Sequence, residues 1–362
     1  MCLDIIFKKS IIILTRQTPH SFKGRYVLIW GFFYIVRRVM KQPLALTWED
    51  QIRLFEKRGL IVKADDVEKI KHISYYRIKE FAKPLEIKRQ DGEEKDILYD
   101  NIEFAEVLAR YYQDKNLRIY LLHAIEKIEV SIKTKISFVL GDRYGAFGYL
   151  NFSSWANRNK FTKYDIEKRQ FRIKKNLLNT VRKSQLTELQ KSINLDPDGF
   201  PTVWLAIDLL MFGDIVSILT IMSEKNIKQI CQYYSCTPEE LVSWLKCLNF
   251  IRNVCAHNSN VLDIQITTKP KLRSEWRNYI DTVKIKHNVT KPSNKLSVII
   301  AIVVYLVNTI NSKYQWRKIQ SSLKALCKED DSRAKLLGFK DYDSVKAMIN
   351  GIKCTAFTNS KK

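Results

Sequence analysis

A chain of 362 residues that is 46% hydrophobic and 28% charged can build a sizeable core, which argues against intrinsic disorder, and only 11 Gly and 8 Pro favour helices. Sixty-two Lys and Arg against 38 Asp and Glu give a net charge of +24. That exceeds what solubility needs and suits a polyanion, either nucleic acid or an anionic membrane surface, with a solvated basic face as the plainer alternative.

Residues 1–39 differ from the rest. "IIFKKSIIIL" and "VLIWGFFYIVRRVM" are apolar runs flanked by basic residues, but Val27–Val36 is too short to span a bilayer as a helix. The leader is an uncleaved signal-like segment, an interfacial anchor or an over-extended start, with translation beginning at Met40; the last reading is favoured, and a membrane partner is not expected. Thr47 followed by Asp50 marks a helix start, and Gly59 ends that helix. "VEKIKHISYYRIKEFAKPL" carries Ile70, Ile73, Tyr76, Ile78 and Phe81 on an apolar face up to Pro84, and "RQDGEEKD" reads as a polar turn.

"LRIYLLHAIEKIEVSIKTKISFVL" places Leu117, Leu121, Ile125, Ile128, Ile132, Ile136 and Val139 on one stripe of a long amphipathic helix, closed by the glycines of "GDRYGAFGYL". Residues 156–191 then hold eleven Lys and Arg against three acidic residues, with Phe161, Tyr164 and Phe171 among them. Cations alternating with rings suit single-stranded RNA, which offers phosphates and unstacked bases. The candidate RNA contacts are Lys160, Lys168, Arg169, Arg172, Lys174, Lys175, Arg182 and Lys183; the alternative is a solvated basic helix with its rings in the core.

"PTVWLAIDLLMFGDIVSIL" is predicted to start a helix at Pro201 and to face Trp204, Ile207, Leu210 and Met211 inward. The next helix opens with Thr237, Pro238 and Glu240 as a capping box, and buries Leu241, Trp244, Leu245, Leu248, Ile251 and Val254. "LSVIIAIVVYLV" is apolar all round, a buried core helix too short for a membrane span. The final "TAFTNSKK" reads as frayed. The fold class is therefore all-α.

The chemistry concentrates in "LNFIRNVCAHNS". RNA carries its own nucleophile in the 2′-OH, so a ribonuclease needs proton transfer, which histidine provides, and charge stabilisation at the phosphate, which arginine provides. Arg252 and His257 are the candidates, and Asn253 stands either to contact substrate or merely to pack. At about 100° per residue the pair lies about 140° apart around the helix, so two copies packed across a two-fold axis would pool their pairs more readily than one helix could. Glu126 and Glu129 on the long helix are expected to orient the site or to form helix-surface pairs such as Glu129 with Lys133. Cys255 is expected to fill core space. The seven cysteines lack metal-ligand or disulfide spacing, and no histidine has companions at ligand spacing, so no metal, no cofactor and a reducing, cytoplasmic setting are expected.

Taken with "LTWEDQIRLFEKRGLIV", "HISYYRIKEFAKPL", the long amphipathic helix and the faint "LLGFKDY", these stretches resemble the Abi-like proteins of bacterial abortive infection, of the AbiD and AbiF type, within the HEPN superfamily. The resemblance covers roughly residues 44–345. It implies a HEPN-like helical bundle with additional helices, over residues 40–320, followed by a C-terminal helical tail at 321–362. It also implies a homodimeric, metal-independent endoribonuclease of a toxin or phage-defence system, whose R-x4-6-H motif falls on Arg252 and His257 with Asn253 as its polar residue. RNA is the partner, as substrate and conceivably as a bound small RNA; a non-catalytic RNA-holding protein is the alternative. Where the family continues with a second histidine and an "RLWN"-like run, this chain reads Asn258, Ser259, Asn260, Val261, Leu262.

Overall fold

Thr47 caps the first helix, α1 (Trp48–Lys57): its Oγ1 accepts from Asp50 N at 3.1 Å and donates to Asp50 Oδ2 at 2.9 Å. The computed structural model describes residues 45–87, 98–284 and 289–351; the apolar leader, the turn at 89–96 and the last residues lie outside them. Gly59, at φ +93°, turns the chain where a Cβ would meet Tyr99 O at 2.4 Å, so only glycine fits. Strand β1 (Leu60–Ile61) follows, then the short helices α2 (Asp66–Ile70) and α3 (Tyr75–Ala82).

The stretch read as one apolar face up to Pro84 is thus two helices, because Ser74 leaves helical geometry and caps α3 by accepting from Arg77 N. The break rotates Tyr76 into solvent at 79% exposure, correcting its expected place on the apolar face, while Tyr75 packs on Phe55 with ring centroids 4.8 Å apart. Strand β2 (Ile102–Glu103) pairs in parallel with β1, Leu60 opposite Ile102.

The axis of the fold is α4 (Phe104–Gly148). All seven apolar residues of its predicted stripe, Leu117 through Val139, are fully buried. Each contributes about 1.5–3 kcal/mol of transfer free energy, far more than helix propensity provides. Helical geometry breaks at Gly145, with φ 75°, later than the first glycine of the predicted turn. Gly141 remains helical and serves packing instead: a Cβ there would come within 3.1–3.2 Å of the Trp204 indole.

After α5 (Phe152–Trp155) comes the basic helix α6 (Lys163–Lys183), started by a Thr162–Asp165 capping box. Then α7 (Val203–Leu209) and α8 (Phe212–Ile221) split the predicted helix at Leu210 and Met211, which are both extended. Ile207 and Leu210 are buried as expected. Trp204 is 51% exposed, since it lies across Gly141 at the surface, and Met211 is 74% exposed, since it caps α8 at the elbow; neither faces inward.

Next come α9 (Glu224–Gln232) and α10 (Pro238–Ala256), the latter with its capping box of Thr237 and Glu240. Strands β3 (Thr282–Lys284) and β4 (Thr290–Pro292) pair antiparallel. The last described elements are α11 (Leu296–Ile310), α12 (Arg317–Cys327), α13 (Asp331–Leu336) and α14 (Tyr342–Gly351). Residues 296–307 of α11 are all buried, as an apolar helix requires, and among the described residues no helix is long and apolar enough to cross a membrane.

Helices α3, α7, α9, α10, α11 and α12 all pack against α4, and α14 packs on α11. Trp244 of α10, Trp276 and Tyr305 of α11 form a ring cluster with centroids 5.2–5.8 Å apart, under the Arg273 guanidinium, which also pairs with Glu240 at 3.0 Å. This cluster fixes α10, and with it the residues at the helix end.

Candidate active site

Helix α10 buries one side against α4, α8, α9 and α11 and leaves its C-terminal turns open on the other. Arg252, Asn253, Ala256 and His257 are exposed there, beside the half-buried Asn249. The helix stops immediately after the motif. Asn258 N donates to Cys255 O at 3.2 Å, Ser259 N donates to Val254 O at 3.0 Å, and Asn258 adopts the left-handed conformation at φ 57°. These are the paired bonds of a Schellman motif with asparagine in place of glycine. His257 is thereby the last residue before the reversal, its N–H bonded to Asn253 O at 2.9 Å.

The reversal is held from behind by α4. Asp114, fully buried, accepts from Val261 N at 2.7 Å, Leu262 N at 3.3 Å and Arg118 Nε at 2.8 Å. Arg118 Nη1 in turn donates to Asn258 Oδ1 at 2.6 Å, and Arg77 of α3 donates to the Asn258 carbonyl. One turn along α4, Arg110 donates to Phe81 O at 3.3 Å and to Asp263 Oδ1 at 2.6 Å, and Asp263 closes a side-chain turn with Asn260. So the residues standing where the "RLWN"-like run was expected form a polar latch between α10 and α4. Burial, the largest influence, raises the Asp114 carboxyl above the ordinary carboxylate value, against the lowering pull of Val261 N–H and Arg118.

Three arginines thus surround the motif with their charges engaged: Arg118 by Asp114, Arg110 by Asp263, and Arg77 by Glu80 at 3.3 Å. Arg252 differs. Among the described residues it makes no hydrogen bond or ion pair, so its fork of donors is open to an anion. The side chains of Asn253 and His257 likewise bond to none of the described residues. Glu129 pairs with Lys133 at 2.9 Å, as expected of a helix-surface pair. Glu126 lines a separate cavity of ≈ 460 Å³ with His123 and Lys135, and no bond joins either glutamate to the motif. Cys255 is 3% exposed, and burial pushes its thiol up to about 12, the behaviour of a packing residue rather than a nucleophile.

The eight basic residues expected to meet RNA divide into three sets. Arg172 is tied to Ser217 at 2.8 Å and Lys174 lies over the Phe200 ring at 5.1 Å. Lys160 and Arg169 face a cleft between α6 and α10, Arg169 stacked on Phe161 at 4.7 Å. Lys168, Lys175, Arg182 and Lys183 are exposed. Tyr164 and Phe171, seven residues apart and so on one face, are 69% and 71% exposed; these rings are not core residues. Among the described residues no group of three or more His, Cys, Asp or Glu is placed to hold a metal ion.

The profile of the Abi-like protein family matches residues 68–263, more than half of the chain. The chain belongs to the Abi-like family. No curated protein and no solved structure matches it. The Abi-like span includes the motif, the latch residues Arg77, Arg110, Asp114 and Arg118, and the whole of α6, whereas α11–α14 lie beyond it.

The latch was missed in the sequence, although a signal was present. Arg110, Asp114, Leu117 and Leu121 follow the same helical stripe, and charges on an apolar stripe must find partners when buried.

Proposed function

We propose that this Abi-like protein is a metal-independent endoribonuclease of the HEPN type, acting in bacterial abortive infection or phage defence, with Arg252 and His257 as its catalytic pair. The observation that carries the reading is the contrast among the arginines: those holding the motif have acidic partners, while Arg252 is exposed beside His257 with none among the described residues. His257 takes the proton of the 2′-OH or returns one to the departing 5′ oxygen, and the Arg252 guanidinium holds the charge that grows on the non-bridging oxygens. Asn253, one turn before His257, is placed to contact the substrate. A dimer that joins two α10 ends supplies both proton-transfer positions around one phosphate.

The test is cleavage of RNA in EDTA by the full-length protein beside His257→Ala. Wild-type cleavage leaving a 2′,3′-cyclic phosphate, and a loss of about 10²–10⁴-fold in the variant, supports the reading. A requirement for a divalent ion, or unchanged cleavage by the variant, overturns it.

The exposed Tyr164 and Phe171 favour a second reading, a protein that holds RNA without cutting it. Base stacking contributes about 1–3 kcal/mol per base. Under that reading the double variant Tyr164→Ala/Phe171→Ala abolishes the cellular effect, while Arg252→Ala and His257→Ala leave it intact.

A further inference from the structure

A cleft of ≈ 900 Å³ opens at the N-terminal half of α10, between α6, α9, α10 and the segment around Lys269. Its size is at the upper end for a small-molecule pocket. Its walls carry four cations besides apolar and neutral polar side chains: Lys160 before α6, Arg169 on α6, Lys246 on α10 and Lys269 after it, with the Phe161 ring also in the wall. Lys160, Lys246 and Lys269 are exposed and make no ion pair among the described residues. Of the two glutamates on the walls, Glu224 is neutralised by Lys228 at 3.1 Å, which leaves only Glu239 to oppose four cations. Cations thus exceed anions in the cleft, which suits it to receive phosphates.

Its position on α10 says what kind of phosphate ligand fits. Lys246, Asn249, Asn253 and His257 follow one another at spacings of three, four and four residues, a single stripe along the helix. Rising about 1.5 Å per residue, that stripe carries a ligand from Lys246 to His257 over about 16 Å. A mononucleotide is too short for the distance, whereas a strand is not.

We propose that this cleft binds the backbone of a single-stranded RNA segment and leads it along the exposed stripe of α10 to Arg252 and His257. RNA as substrate rests on the function proposed above; the cleft itself rests on its own residues. Lys160, Lys246 and Lys269 each meet a phosphate, and Phe161, with Arg169 on its face, walls the track.

The experiment uses full-length His257→Ala protein, so that RNA stays intact, and a fluorescently labelled oligoribonucleotide read by anisotropy across a salt series. Lys246→Glu/Lys269→Glu is compared with Lys313→Glu/Lys340→Glu, a pair exposed away from the cleft. The neutral pair Lys246→Gln/Lys269→Gln repeats the comparison should the charge-reversed protein not fold. The cleft variant is expected to bind at least about tenfold more weakly and to lose about 0.7 from the salt slope per phosphate contact removed, while the control pair stays near the parent. Equal losses from both pairs, no loss from the cleft pair, no binding by the parent, or displacement of the strand by a mononucleotide as readily as by unlabelled RNA would each overturn the proposal. Should the wild type bind through the cleft yet cut nothing, the cleft stands and the nuclease reading falls; should it cut while the cleft variants bind normally, the reverse holds.

Discussion

Arg118 Nη1 donates to Asn258 Oδ1 at 2.6 Å across 140 residues of sequence, tying the N-terminal third of the central helix to the residue that follows the candidate catalytic histidine. Asn258 does two jobs that substitution can separate. Its backbone sits at φ 57°, where glycine is free and alanine costs about 1–2 kcal/mol, and its side chain gives Arg118 an acceptor. Asn258→Gly keeps the first and loses the second; Asn258→Ala loses both. Denaturant unfolding is expected to rank the proteins wild type, Gly, Ala, with the last step about 1 kcal/mol. If the link positions His257, RNA cleavage falls in Asn258→Gly through kcat with KM little changed. Full activity in that variant would show that the turn alone suffices.

Asp114 makes a pH prediction of definite sign. Burial raises its carboxyl in the folded protein above the unfolded value, so from about pH 4 upward the folded state holds on to a proton that the unfolded state has released. Stability from this group is therefore full below the unfolded pKa and is lost as pH rises through the folded one. Urea unfolding of wild type and Asp114→Asn over a pH series is expected to show the wild type losing ground to the variant on going from about pH 4 to neutrality. The opposite trend would mean that the Arg118 pair outweighs the cost of burying the carboxylate.

What the sequence made legible follows from whether a signal is local. The stripe from Leu117 to Val139 repeats at helical spacing over six turns, and the Thr237–Glu240 box is a four-residue pattern; both were readable because the physics that fixes them lies within one helix. Arg252 and His257 are exposed at the end of α10. Met211 was misplaced because "AIDLLMFGDIVSIL" carries no proline or polar break at the elbow, so two helices read as one. Trp204 was misplaced for a tertiary reason, its berth being the missing Cβ of Gly141, 63 residues earlier. The latch was legible only in part: charges on an apolar stripe require partners, but which partners they take is tertiary, since Asp114 finds its own at Val261 and Leu262.

The cysteines test the packing of α10 directly. Cys247 and Cys255 are 0% and 3% exposed, and burial pushes their thiols up to about 11 and about 12; Cys327 is likewise buried and pushed up to about 12. At about pH 8 a brief iodoacetamide treatment of the native protein is expected to leave all three unmodified in peptide mass spectra, with modification only after unfolding. Rapid labelling of Cys255 in the native protein would mean that the motif's helix opens readily or lies differently.

The angle between Arg252 and His257 leads to a prediction about assembly. Both side chains are exposed and bond to none of the described residues, so Arg252→Ala and His257→Ala are each expected to change stability by less than about 0.5 kcal/mol while removing cleavage. With the two side chains about 140° apart around α10, a single chain does not readily aim both at one phosphate. If two protomers share the site, co-refolding the two inactive variants yields mixed dimers that hold one intact arginine and one intact histidine at the shared interface. Such mixtures are expected to recover a measurable fraction of wild-type cleavage, rising with the proportion of mixed dimer found by native mass spectrometry. Absence of recovery in a verified mixed dimer would place each Arg252–His257 pair within its own chain, and the reversal at Asn258 would then have to bring the two side chains together by itself.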